Sequence, residues 1–234
     1  MKQVLFQHGT LALLVPGLLT GTLTIKELLQ HGDTGIGTGE GLDGELVILQ
    51  GQVYQVQSTG HIRQVPGDFT LPFANIHHAD YQPLAQLSDL TQAQLYQQLN
   101  DRIKAPNTFY SVKITGTFAK MHTRSASKST PPYATLLATA QNQQEFTAEN
   151  VSGTLLSYYS PELFHGAAVA GYHSHFLAED LTIGGHVLDF ALTSGQVQVQ
   201  VFDTLEQHLP IENQEFMQHD FTKDNISSDI SQSE

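Results

Sequence analysis

Gly171-Tyr172-His173-Ser174-His175-Phe176, followed after a turn by Gly184-Gly185-His186, is the stretch from which the chain is read. Successive side chains of a strand point to opposite faces, so His173 and His175 share one face. Residues 167–176 are predicted as a strand, and the chain returns over 185–192 as its hairpin partner. His173, His175 and His186 then converge on one point. Three neutral imidazoles with a fourth position left open form the ligand set of a catalytic zinc site. Twelve histidines make a chance His-x-His pair plausible, with two surface imidazoles and an unrelated third as the bland reading. The third histidine at hairpin distance, flanked by glycines, favours a shared metal.

Outward from the hairpin the pattern stays rich in strands. Residues 45–50, 52–57 and 61–65 read as consecutive strands with tight turns at Gly51 and Gly60, and another is expected near 69–73. Residues 107–124 alternate well enough for a long strand, and 145–157 and 196–202 complete a second sheet region. Thr24-Ile25-Lys26-Glu27 and Thr91-Gln92-Ala93-Gln94 have capping-box spacing, opening a short helix and a longer one running to Ile103. Residues 133–142 look helical. The expected fold is α+β and sheet-rich, with two β-sheet subdomains, a few short helices and the metal site on a hairpin of the C-terminal half. Residues 1–234 are expected to form a single unit, with possible subdomains of about 1–125 and 126–222. The polar run 223–234 has the composition of a disordered tail.

Bulk properties remove several function classes. The formal net charge is −13 with ten Lys and Arg, a balance that repels nucleic acid. An anionic substrate therefore needs a local cation. The absence of cysteine removes disulfides, thiolate ligands and Cys nucleophiles together, so any metal is held by His or carboxylate. The apolar run 11–19 is too short to span a membrane. It has a leader-like look after Met1-Lys2, but no clear cleavage site follows, and a buried segment of a cytoplasmic protein is expected. The glycines of 32–44 lack Walker spacing and a following Lys, so they read as places where backbones pass closely rather than as a phosphate cradle.

Several blocks, in one order, extend the reading beyond the histidines: residues 28–38 (LLQHGDTGIGT), 41–46 (GLDGEL), 121–124 (MHTR) with Pro132-Tyr133, and the two His blocks. Over nearly its full length the chain resembles the alpha-acetolactate decarboxylase family. The resemblance implies that His173, His175 and His186 are the Zn2+ ligands, that Glu45 is the first active-site glutamate and Arg124 the active-site arginine, and that Thr38 lines the site. A second glutamate lies near the family's C-terminus, where the tail folds back over the metal. Glu234, in the run Asp229-Ile230-Ser231-Gln232-Ser233-Glu234, is its match, with Asp229 the other candidate. The family's mature chain opens with a segment similar to Phe6-Gln7, in keeping with no leader, and its members pair as homodimers.

The activity so implied is decarboxylation of (S)-2-acetolactate, a small anionic 2-hydroxy-3-keto acid, to (R)-acetoin and CO2. No nucleic acid or membrane partner is implied. Loss of CO2 leaves two electrons that need an acceptor, and no organic electron sink is suggested by the sequence, which points to the metal. Arg124 offers a planar fork to the carboxylate. Glu45 or Glu234 delivers the final proton. On the residues alone, Glu45 also reads as an exposed strand residue, Arg124 as a surface cation and Glu234 as a solvated terminus. Two other readings stand beside this one. A cupin-like Fe or Mn enzyme would use His173, His175 and Glu179, although Gly166 is off by one and the motif's far glycine would fall on His186. A non-catalytic metal-binding or acidic scaffold protein would take up metal without releasing CO2.

Overall fold

A computed structural model describes residues 2–233. The strands are β1 (Val4–His8), β2 (Leu23–Thr24), β3 (Thr34–Thr38), β4 (Glu45–Leu49), β5 (Gln52–Val56), β6 (Ile62–Gln64), β7 (Thr70–Leu71), β8 (Phe73–His77), β9 (Gln82–Thr91), β10 (Tyr110–Ser125), β11 (Gln144–Ser160), β12 (Gly171–Ala178), β13 (Gly184–Val201) and β14 (Thr204–His208). The helices are α1 (Leu11–Leu14), α2 (Ile25–Leu28), α3 (Gln92–Ile103), α4 (Leu136–Ala140), α5 (Gln214–Gln218) and α6 (Ile226–Ser233). The expected sheet-rich α+β class is observed.

Seven strands form one sheet in the order β14-β1-β8-β3-β4-β5-β6. A second sheet runs β10-β11-β12-β13-β9, and the additional β10–β13 pairing closes it on itself. The sheets exchange chain segments: β9 and β10 precede residue 126 yet belong to the second sheet, and β14 returns to the first. The second sheet packs around Phe118, Met121, Phe176 and Phe190, and the first around Phe6, Leu46, Ile48 and Ile76. A further cluster takes Leu5 and Ile36 from the first sheet and Leu156, Tyr158 and Phe202 from the other side, welding the two.

Local chemistry explains most elements. The boxes at Thr24 and Thr91 are both closed, each hydroxyl accepting from the third residue's N–H and that residue's side chain returning to the cap. The predicted strands 185–192 and 196–202 are one continuous β13. The tail corrects its composition: residues 226–233 are helical, with Ile230 buried against Leu11, Leu13, Leu14 and Leu136. A polar segment orders here because its one deeply inserted apolar side chain meets a groove built by residues distant in sequence.

Candidate metal centre and active-site pocket

Hairpin register fixes the histidines. His175 on β12 lies opposite His186 on β13, which in turn lies opposite Arg124 on β10. One row of side chains across three strands therefore carries two imidazoles and the guanidinium, and alternation adds His173 to the same face. Gly185 makes the approach possible. Its φ is +115°, and a Cβ there would sit 2.5 Å from the Arg124 carbonyl oxygen, so a larger residue would push β13 off β10.

One potential ligand atom from each of His173, His175 and His186 lies within 4.8 Å of the others, and this is the one such group among the described residues. His173 Nε2 is 3.2 Å from His186 Nδ1. His175 Nδ1 lies 2.9 Å from the Leu46 carbonyl, an acceptor only, so Nδ1 carries the proton and the lone pair is on Nε2. That Nε2 is buried without a hydrogen-bond partner and faces a carboxylate oxygen of Glu45 at 3.4 Å. A buried lone pair beside a carboxylate is stabilised by a cation between them.

Burial holds all three rings neutral. It lowers His173 to about 3, with the positive charge of Arg124 adding to the effect. Burial also keeps His175 and His186 well below the usual imidazole range; His173 and then Arg124 add to it at His175, and Arg124 leads the neighbours at His186. Neutral imidazole is the ligating form, so the donor set suits a divalent ion.

These groups open onto a pocket lined also by Thr38, Glu45, Gln143 and Ser233. Leu11, Leu14, Phe73 and Leu136 supply an apolar wall. Thr38 is turned by donating its hydroxyl to the Gly44 carbonyl at 2.8 Å, opposite Glu45 in the β3–β4 register. Arg124 is buried; its Nη1 donates to Gln143 Oε1 at 2.7 Å and to the Ser233 carbonyl, and its Nη2 lies 3.4 Å from His186 Nε2. The sequence-predicted residues Thr38, Glu45, Arg124, His173, His175 and His186 are thus brought together. Glu234 lies outside the described residues, and Asp229 is not among the pocket-lining residues.

Glu179, the ligand required by the cupin-like alternative, is exposed on a different surface beside Ser152 and Gly153, and is not part of the histidine group. It follows the end of β12, beyond the strand that holds the two histidines, and its backbone is taken by the Ser152 carbonyl. Gln143 and the Leu46 carbonyl escaped sequence reading. Neither residue type carries a motif, and each reaches the site only through tertiary pairing.

The family model described as alpha-acetolactate decarboxylase matches residues 5–223. The chain belongs to the alpha-acetolactate decarboxylase family. It is 40% identical to the alpha-acetolactate decarboxylase of Lactococcus lactis subsp. cremoris over 97% of this chain and 96% of that one. Identity to the enzyme of Streptococcus thermophilus is 38%, covering 98% of both. The crystal structure of alpha-acetolactate decarboxylase from Bacillus subtilis superposes with a TM-score of 0.93 at 29% identity, covering 99% of each chain. A Staphylococcus aureus protein described as similar to alpha-acetolactate decarboxylase gives 0.95 at 38% identity, covering 99% of this chain and all of that one. Membership of this alpha-acetolactate decarboxylase family makes the chain a decarboxylating lyase acting on a small acid. Among its described residues no helix is long and apolar enough to cross a membrane.

Proposed function

We propose that the protein converts (S)-2-acetolactate to (R)-acetoin and CO2, with Zn2+ held by His173, His175 and His186. The convergence of three neutral imidazoles beside Arg124 and Glu45 in one pocket is the observation that carries this reading. Zinc, when bound, supplies a Lewis acid for the charge left on the substrate oxygens as the carboxylate leaves.

The chain's own groups account for the rest. Arg124 binds the carboxylate and stabilises the negative charge that moves onto the carbonyl oxygen as the C–C bond breaks. Leu11, Leu14 and Phe73 take the two methyl groups and keep water from the reacting carbon. Glu45, only 13% exposed at its side chain, holds the substrate hydroxyl. After CO2 leaves, the former carboxyl-bearing carbon needs one proton on one face, and Glu234 supplies it as general acid. The support for Glu234 is its position directly after Ser233, whose carbonyl Arg124 holds at the pocket. Protonation from one side yields one enantiomer.

The reading takes 1–234 as a single functional unit, supported among the described residues by the exchange of strands between the sheets. The reading also carries a cytoplasmic homodimer, checked by fractionation and by sedimentation at twice the chain mass.

The test is incubation with racemic 2-acetolactate, with and without chelator, followed by chiral analysis of the acetoin. (R)-Acetoin formation that chelator abolishes and Zn2+ restores is expected. Chelator-insensitive CO2 release would remove the metal from the mechanism. Metal uptake without any CO2 release would leave only a binding protein.

A further inference from the structure

His173 and His175 are separated on β12 by Ser174, whose side chain points to the opposite face of the strand. On that face the strand is buried yet still polar. Ser174 Oγ lies 2.6 Å from Ser157 Oγ, its partner residue on β11, and both serines are buried. It also lies 2.8 Å from the hydroxyl of Tyr96 on α3. Three hydroxyls therefore run from a helix and a neighbouring strand to the pleat between the two histidines.

The helix offers a firm support. Leu95 and Leu99 are wholly buried in the core of the second sheet and anchor α3 there. Tyr96, beside them, stacks on Tyr172 with ring centroids 4.1 Å apart and planes 8° from parallel, and meets Phe190 edge-on at 6.0 Å. The Tyr172 hydroxyl donates to Asn100 Oδ1 at 2.8 Å, one turn further along α3. The helix thus grips β12 at Tyr172 and Ser174, on either side of His173. Strand pairing leaves it room for that part. β11 pairs along all of β12, but the ladder with β13 takes in only His175, Phe176 and Leu177, so Ser174 lies outside it. Burial raises the Tyr96 phenol above its ordinary value, so the hydroxyl keeps its proton.

We propose that Tyr96 is a positioning residue for the metal centre, fixing through Ser174 the spacing of the His173 and His175 rings. The assignment rests on the reading of the three histidines as a metal site. Ligand groups have to be held within about 0.5 Å of the binding geometry, and locked neighbours behind them are what hold them there. A merely structural bond would show itself in the melting temperature. A positioning bond shows itself in poorer metal binding by an otherwise intact protein.

The experiment compares wild type, Tyr96→Phe, Ser174→Ala and the double variant, with Leu99→Val as a control that loosens α3 without touching Ser174. Tyr96→Phe keeps the ring stack and removes only the hydroxyl. The readouts are the Zn2+ Kd by competition with a chromophoric chelator, the visible absorption of the Co2+-loaded protein, and the Tm of the metal-free protein. In Tyr96→Phe the Zn2+ Kd rises about tenfold and the Co2+ bands change, while Tm stays within about 3 °C. The double variant binds no more weakly than Ser174→Ala, because both changes break one chain of bonds. Leu99→Val lowers Tm and keeps the wild-type Kd. A wild-type Kd and Co2+ spectrum in Tyr96→Phe would overturn the assignment, as would an equal loss of affinity in Leu99→Val. Should the wild type itself take up neither ion, the metal reading falls and this assignment with it.

Discussion

Single side chains in this protein derive their chemistry from what surrounds them. Arg124 is buried beside a neutral imidazole and two carbonyls, where a charge acts more strongly than in water. Arg124→Ala should therefore lower kcat by about two to three orders of magnitude, the usual cost of removing an electrostatic donor from a developing oxyanion. Lysine in its place should recover only part, because a point charge does not reproduce the planar fork. Steady-state acetoin assays on zinc-loaded variants check both, and near-wild-type turnover in Arg124→Ala would dismiss the residue. His77, far from this chemistry, has a different consequence. It is wholly buried against Tyr158, and burial lowers it to about 3. The unfolded chain takes up a proton near pH 6.5 while the folded chain does not, so stability falls as pH drops from about 6.5 towards 3. Between pH 7 and 5 this one group should remove about 2 kcal/mol. Urea titrations at the two pH values should show a smaller loss in His77→Phe than in wild type. Equal losses would show that His77 does not set the acid sensitivity.

Among the elements, α6 brings Ser233 to the pocket without belonging to either sheet. Its eight residues are too few to stay helical alone, so docking of Ile230 among Leu11, Leu13, Leu14 and Leu136 holds it. Ile230→Ala forfeits about 2–5 kcal/mol of local packing. Because α6 packs chiefly on α1 and α4 and pairs with no strand, that loss should appear as undocking rather than global unfolding. Hydrogen exchange over 226–233 should accelerate and kcat/KM should fall, while the urea midpoint of the sheets barely moves. Protection unchanged from wild type would refute the docking role. Both capping boxes and the His-x-His hairpin were legible in sequence, since each depends on residues three or fewer positions apart or on one short turn. β9 was not: with Pro83 and exposed positions it lacks alternation, and it exists by pairing along β13. β1 was hidden by Gln7 and His8, polar residues that are buried because Gln207 and His208 of β14 lie opposite them in parallel register and bond to them.

On the scale of the whole molecule, two sheets share one fate. The cluster joining Leu5 and Ile36 to Leu156, Tyr158 and Phe202 spans both, and His175 of the second sheet is oriented by the Leu46 carbonyl of the first. Urea unfolding should therefore be a single transition, with tyrosine fluorescence and far-ultraviolet circular dichroism coinciding. Two separated transitions would mean that the sheets are independent units. The same coupling sets the tautomer of His175 across the junction, so the lone pair that its Nε2 offers depends on contact between the sheets.

The sequence by itself determined the strand-rich class, the hairpin, the imidazole triplet and the family, because alternation, capping and motif order are written in near neighbours. Only the tertiary structure decided that Glu179 faces away, that a polar tail becomes a helix over the pocket, and that Gln143 and the Leu46 carbonyl hold the working groups. Those outcomes depend on hydrogen bonds and packing between residues far apart in the chain, and no local pattern encodes which distant partner will close them.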